Sequence, residues 1–239
     1  MNLTDRYLNA GYTDYESMKA GLSLSIPENF NFGFDVVDEY ARLEPNKRAL
    51  VWCNDKGQER EYSFKDISLL SNKLADALQK LGIKTGDFVM VILKRRAEYW
   101  ITYPALHKLG AIIIPATHML TKKDVIYRNN AASVRMIIAD SDPFITDHVD
   151  ESEAESPSLQ FKVALGEKLP GWLDFHQLLE SGSEEFIPNE RAGGTDPMLM
   201  FFTSGTTGMP KMVLLADIVS DNEADLDAVA ERCCGMARA

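Results

Sequence analysis

Phe88-Val89-Met90-Val91-Ile92-Leu93, set off by the turn residues Thr85-Gly86-Asp87, is an apolar run with no polar alternation. A strand with one wet face alternates, so a run like this suits a strand covered on both faces by helices. Its flanks agree. Upstream, Ile67, Leu70, Leu74, Ala77, Leu78 and Leu81 are spaced to share one helical face. Gly82 stands where a C-terminal cap is expected. Downstream, residues 96–109 read as helical, and Gly110 leads into the strand-like Ala111-Ile112-Ile113-Ile114-Pro115. Thr121 with Asp124 forms a capping box in which Asp replaces Glu, opening a helix to about Ala131. Val134-Arg135-Met136-Ile137-Ile138-Ala139 reads as the next strand. Strands alternating with helices of this length predict an α/β fold: a largely parallel sheet with flanking helices.

Outside this core the pattern loosens. Residues 1–30 are polar and aromatic and read as a lead-in. Asp35 is expected to cap a short helix carrying Val36, Val37, Tyr40 and Leu43, ended by Pro45. Ala49-Leu50-Val51-Trp52-Cys53 and Glu61-Tyr62-Ser63-Phe64, joined through Asn54-Asp55-Lys56-Gly57, predict a hairpin. Residues 141–190 hold twelve Asp and Glu against two Lys and no Arg. The densest acidic run, residues 150–157, reads as a solvated face. Phe161-Lys162-Val163-Ala164-Leu165 suits a further strand, and Trp172, Phe175, Leu178 and Leu179 a short packed helix. Trp52, Trp100 and Trp172 are expected as core aromatics.

The 239 residues carry a formal net charge of −11, with 45% hydrophobic and 26% charged residues. No basic stripe suited to a phosphate backbone is visible, so nucleic acid is not an expected partner. Cys53, Cys233 and Cys234 make an odd count with no C-x-x-C, which suggests reduced thiols. The first residues contain no apolar signal-peptide core, and no apolar stretch is long enough for a membrane span. The expectation is a cytoplasmic protein.

Pro197-Met198-Leu199-Met200-Phe201-Phe202 drives into Thr203-Ser204-Gly205-Thr206-Thr207-Gly208-Met209-Pro210-Lys211. Glycines let backbone N–H groups approach a ligand closely, and successive N–H groups in a turn form a concave anion site. Ser204, Thr206 and Thr207 add hydroxyl donors, and Lys211 adds a positive charge; together they suit a polyphosphate. The Walker pattern fails at two positions, Pro210 where glycine is required and Met212 where a hydroxyl is required. A Gly/Thr-rich surface turn that binds nothing is the competing reading. His107 is explained by partial burial or a surface place, and His118 by loop packing. There is no H-x-x-x-H pair and no G-x-S-x-G elbow.

The stretch 202–213 resembles the signature loop of AMP-forming acyl-CoA synthetases, the adenylate-forming ligase superfamily. Tyr62-Ser63-Phe64-Lys65-Asp66, Leu81-Gly82 and Gly86-Asp87-Phe88-Val89 are similar to that family's N-terminal region. Lys94-Arg95-Arg96-Ala97-Glu98-Tyr99-Trp100, Leu109-Gly110-Ala111 and Ile114-Pro115-Ala116 look like the acetate and medium-chain branch. The likeness covers about residues 30–213. It implies the N-terminal large domain of that fold, ATP with magnesium, a carboxylic acid substrate, and coenzyme A as co-substrate. It also implies that Thr203, Ser204, Gly205, Thr206, Thr207, Gly208 and Lys211 contact phosphate.

The family's aromatic-Gly-x-Thr-Glu segment, with its magnesium-binding Glu, its ribose-gripping Asp and its adenylation lysine have no counterpart in these residues; no catalytic or metal-binding residue is assigned. The resemblance stops after Val213. Residues 214–239 read as a short acidic helical tail, capped by Ser220 or Asp221, with Leu226, Val229, Ala230 and Cys233 on one side. The expected organisation is therefore a lead-in (1–30), a partial AMP-binding domain (31–213) and a tail (214–239). A truncated ligase, inactive alone, is the first expectation. A non-catalytic binding module, or one half of a split ligase completed in trans by a C-terminal half, is the alternative.

Overall fold

The computed structural model describes residues 3–7, 12–23, 25–203 and 209–216. A short helix α1 (Tyr15–Gly21) precedes a π-helical segment, Gly33–Asp38, that runs into α2 (Glu39–Leu43). The hairpin β1 (Arg48–Cys53) and β2 (Glu59–Ser63) pairs antiparallel, as its turn chemistry predicted. Alternation then begins: α3 (Phe64–Lys80), β3 (Phe88–Ile92), α4 (Tyr99–Leu109), β4 (Ile112–Pro115), α5 (Lys122–Ala132), β5 (Met136–Asp140), α6 (Pro143–Ser152) and β6 (Phe161–Leu165). β7 (Leu173–Asp174), α7 (Phe175–Ser181), β8 (Pro197–Thr203) and β9 (Lys211–Ala216) complete the described elements.

Among the described residues, seven strands form the main sheet in the order β7-β6-β5-β3-β4-β8-β9. Every neighbouring pair is parallel except the edge pair β8–β9. β3 lies in the middle and all five of its residues are buried, as the unbroken apolar run required. Its alternate side chains supply two cores. Val89 and Val91 face α3, α4 and α7 through Leu74, Leu106 and Phe175. Phe88, Met90 and Ile92 face α5 and α6 through Val125, Ile145 and Val149. Capping boxes open α1, α3 and α5, the first made by Asp14 and Ser17. Thr121 donates from its hydroxyl and its backbone N–H to Asp124 at 2.7 and 3.1 Å, and Ser63 and Asp66 make the equivalent box for α3.

Several expectations change. Asp35 does not cap the helix over residues 36–43. The chain winds as a π-helix there, and the Asp35 carboxylate accepts from Asn31 N at 2.8 Å and pairs with Arg191 at 2.9 Å. Gly33 sits tight against α4: a Cβ on it would lie 2.7 Å from Lys108 Cγ. The helix expected from residue 96 begins at Tyr99, because the chain first bends at Arg95 and turns at 97–98. Trp100 is 56% exposed and is not a core residue. Trp52 is half-buried and donates to Arg95 O, while Trp172 is buried before α7 rather than within it. His107 is 7% exposed, a core position. Part of the acidic run is engaged: Asp150 and Glu153 hold Lys162. Leu214, Leu215 and Ala216 continue β9 past residue 213, in register with Met200, Leu199 and Pro197. The expected tail helix lies outside the described residues.

Gly182, just beyond α7, lies against the backbone of α3. A Cβ there would stand 1.9 Å from the carbonyl oxygen of Lys73. Backbone cannot yield as a flexible side chain can, so the α7–α3 contact must open. Gly182→Ala is expected to cost about 1–3 kcal/mol, the range for overpacking. Urea denaturation checks this; an unshifted midpoint would rule out so close an approach.

Candidate phosphate loop

β8 reaches the loop from inside the sheet, paired with β4 at Ile113–Leu199, and β9 returns along the edge. Thr203 and Lys211 are the last cross-strand pair before the turn. Thr203 Oγ1 donates to Lys211 O at 3.4 Å. The structure therefore brings together the two ends of the expected phosphate-contact set, both exposed. Ser204, Gly205, Thr206, Thr207 and Gly208 lie outside the described residues. Among the described residues, Lys211 has no carboxylate partner, so its ammonium charge is uncommitted at the mouth of the loop.

The hairpin is braced from α5, by residues with no local signal in the sequence. Tyr127 Oη donates to Pro210 O at 2.7 Å and fixes the return of the chain into β9. The Tyr127 ring meets Phe202 edge to face at 6.0 Å, and the Arg128 guanidinium lies over the Phe202 ring at 5.1 Å. Such cation–π contacts are strongest where water is excluded. Burial pushes the pKa of Arg128 down and Asp124 draws it back up. The Asp124 carboxyl lies below its usual range because of the Thr121 hydroxyl, with the Thr121 amide, Arg128 and Lys123 helping. The capping box that opens α5 thus also steadies the arginine against β8. These contacts join positions 74–83 residues apart, and only the α5–sheet packing makes them neighbours. His118 is exposed beyond β4.

The α/β sheet and its β8–β9 hairpin, with Thr203 opposite Lys211 on either side of the hydroxyl- and glycine-rich stretch 204–208 of the sequence, define the class of the protein. The AMP-binding enzyme family matches residues 37–217, and the chain belongs to that family. It is 41% identical over 194 residues to acyl-coenzyme A synthetase ACSM4, mitochondrial, of Mus musculus, covering 78% of this chain and 33% of that protein. It is 38% identical over 206 residues to acyl-coenzyme A synthetase ACSM5, mitochondrial, of Homo sapiens, covering 83% and 35%. The chain thus spans about a third of the length of these curated relatives. The crystal structure of an acyl-CoA synthetase of Brucella canis superposes with a TM-score of 0.69 at 25% identity, over 79% of this chain and 33% of that one. That of the anthranilate CoA ligase AuaEII, in complex with anthranoyl-AMP, superposes with a TM-score of 0.72 at 24% identity, over 80% and 36%. The mostly parallel sheet with flanking helices matches the fold of these neighbours.

Proposed function

We propose that the β8–β9 loop holds the phosphates of ATP through Thr203, Ser204, Gly205, Thr206, Thr207, Gly208 and Lys211, within AMP-forming acyl-CoA synthetase chemistry. The observation that carries this is the cross-strand pairing of Thr203 with Lys211 at the base of the loop. In that chemistry a carboxylate oxygen attacks the α-phosphorus, and the bond to pyrophosphate breaks. The thiol of coenzyme A then attacks the acyl carbon, loses its proton, and AMP leaves. Both partners of the first step are anionic, so charge neutralisation and alignment are what a protein must supply. Lys211 and the loop donors serve the neutralisation. Among the described residues no three His, Cys, Asp or Glu side chains gather as a metal site. Magnesium is proposed to enter with the nucleotide, as Mg-ATP.

These 239 residues are proposed to bind nucleotide without completing the ligation, with 31–213 as the partial AMP-binding unit. Among the described residues β9 is the edge strand, and Phe201, Val213 and Leu215 are an exposed apolar stripe on the hairpin. This favours the second reading, in which a C-terminal half supplied in trans covers that stripe. Cytoplasmic residence belongs to the same proposal; among the described residues no helix is long and apolar enough to cross a membrane.

Lys211→Ala is expected to weaken ATP binding about 10- to 100-fold, the range for one lost charge-assisted contact. Titration calorimetry measures it. Acid-dependent pyrophosphate release by the purified chain should stay at background. Turnover comparable with a full-length relative would overturn the inactive reading, and ATP affinity indifferent to Lys211 would overturn the loop assignment.

A further inference from the structure

Lys94-Arg95-Arg96 is the only run of three consecutive basic residues in a chain of net charge −11. It forms the turn directly after β3, and the structure shows what holds it there. Asp140, at the end of β5, is 2% exposed. One of its oxygens accepts from Lys94 N at 2.7 Å, the other from Arg96 Nε at 2.6 Å. The Lys94 ammonium pairs with Asp142. On the other side, Trp52 Nε1 donates to Arg95 O at 2.7 Å. Arg60 reaches Glu98 at 3.6 Å, and its guanidinium lies 5.7 Å from the Trp52 ring centre. The turn is therefore pinned at three points. Among the described residues the Arg95 guanidinium has no hydrogen bond or carboxylate partner, and Arg96 has spent only its Nε edge.

The place of this turn in the sheet matters. After β3 the chain leaves to α4 on one face; after β5 it leaves to α6 on the other. β3 and β5 are adjacent, so their carboxyl ends flank a crevice where the connections diverge. Open α/β sheets bind ligands in that position. A cavity of about 710 Å³ opens beside it, between the β1–β2 hairpin and the ends of β3 and β6; it is lined by Trp52, Arg60, Arg95, Arg96 and His176, with the carboxylates Asp55 and Glu98 also on its wall. A second, of about 430 Å³, shares Lys94 and Arg96. The first falls within the 300–1,000 Å³ typical of small-molecule sites. Gly166, with φ +122°, lies at the rim; a Cβ there would lie 2.5 Å from Ser141 Oγ.

Ordinary solvated ion pairs account for Lys94 and, at longer range, for Arg60. They do not account for Arg95, nor for a nearly fully buried carboxylate used to aim a basic turn into a cavity. In a chain whose overall field repels anions, such a crevice is a local exception. We propose that it is a second anion site, apart from the glycine loop, for a phosphate-bearing small molecule of nucleotide size. Arg95 and the outer nitrogens of Arg96 face the phosphate, and Trp52 and His176 face the organic body.

The test uses the full chain, with tripolyphosphate and ADP as probes, in titration calorimetry at low ionic strength. Arg95→Glu should weaken one tripolyphosphate site at least tenfold, while Arg95→Lys retains it and Lys211→Ala leaves it unchanged. ADP should alter indole emission in the wild type but not in Trp52→Phe. Loss of all binding in Lys211→Ala, or an Arg95→Glu isotherm matching wild type, would overturn the proposal. If Lys211→Ala changes nothing while Arg95→Glu removes binding, the crevice stands and the glycine-loop assignment falls. Arg95 has no partner to strand, and a thermal melt matching wild type confirms that the variant is folded.

Discussion

Lys108→Met is expected to cost the fold about 3 kcal/mol, the lower end of the range for breaking a buried ion pair by removing one partner. Lys108 is fully buried in α4. Its ammonium donates to Asp38 Oδ1 at 2.5 Å, Asn72 Oδ1 at 2.7 Å and Ser71 Oγ at 2.9 Å, with Ser68 O at 3.4 Å. One side chain thus ties α4 to α3 and to the π-helical segment. Burial lowers the lysine's pKa, and Asp38 opposes that shift. Methionine keeps the stem but leaves Asp38 with only the Ser68 hydroxyl, at 2.6 Å. Asp38 is partly exposed and can regain some water, which is why the lower end applies. Adding Asp38→Asn should recover part of the loss, since no unpaired carboxylate then remains, and a double-mutant cycle in urea isolates the coupling. A single-variant loss below about 0.5 kcal/mol, the scale of surface changes, would show that the network contributes little.

The second large effect is an acid sensitivity at the neighbouring residue. His107 is buried between Phe32, at 6.0 Å edge to face, and Tyr103, at 6.4 Å. Neither ring nitrogen has a hydrogen-bond partner among the described residues. Burial alone pushes its pKa down to about 4 from 6.5. Between those values the unfolded chain binds a proton that the folded chain does not, so stability rises with pH across that window. The contribution is complete above pH 6.5 and is lost as pH falls towards 4. A difference of this size corresponds to about 3 kcal/mol. Urea midpoints measured at pH 7 and pH 4.5 should separate more in the wild type than in His107→Leu. Carboxylates also lose stabilisation in acid, so the difference between the two proteins is the informative quantity. Equal separations would mean that His107 is protonated in the folded state.

Both residues are adjacent in sequence, and neither role is legible there. A lysine and a histidine between Leu106 and Leu109 look like the wet side of an amphipathic helix. The structure buries them because α4 is enclosed on more than one side: by α3, by the π-helical segment and by the sheet. Helical periodicity reports one buried face and has no way to announce a second. Asp38, Ser71 and Asn72 compensate one of them, and that compensation spans up to 70 residues of chain. Trp100 is the opposite case. Its size suggests the core, yet it is the second residue of α4, beside the basic turn, and it remains exposed.

Residue types at short spacing were enough for the alternating α/β architecture, the buried central strand, the Thr121–Asp124 capping box and the family. Those depend on an apolar run at 88–93, Thr121 three residues before Asp124, and glycines in fixed order at 203–211; the Ser63–Asp66 box at the start of α3 emerged only in the structure. Tertiary structure alone decided the strand order, the antiparallel edge hairpin that sets Thr203 opposite Lys211, and the bracing of that hairpin by Tyr127 and Arg128. It also decided that Asp140 aims Lys94-Arg95-Arg96 into a crevice. The reason is physical: spacing along a chain constrains neighbours within a few residues, whereas a contact between strands or helices depends on how whole elements pack.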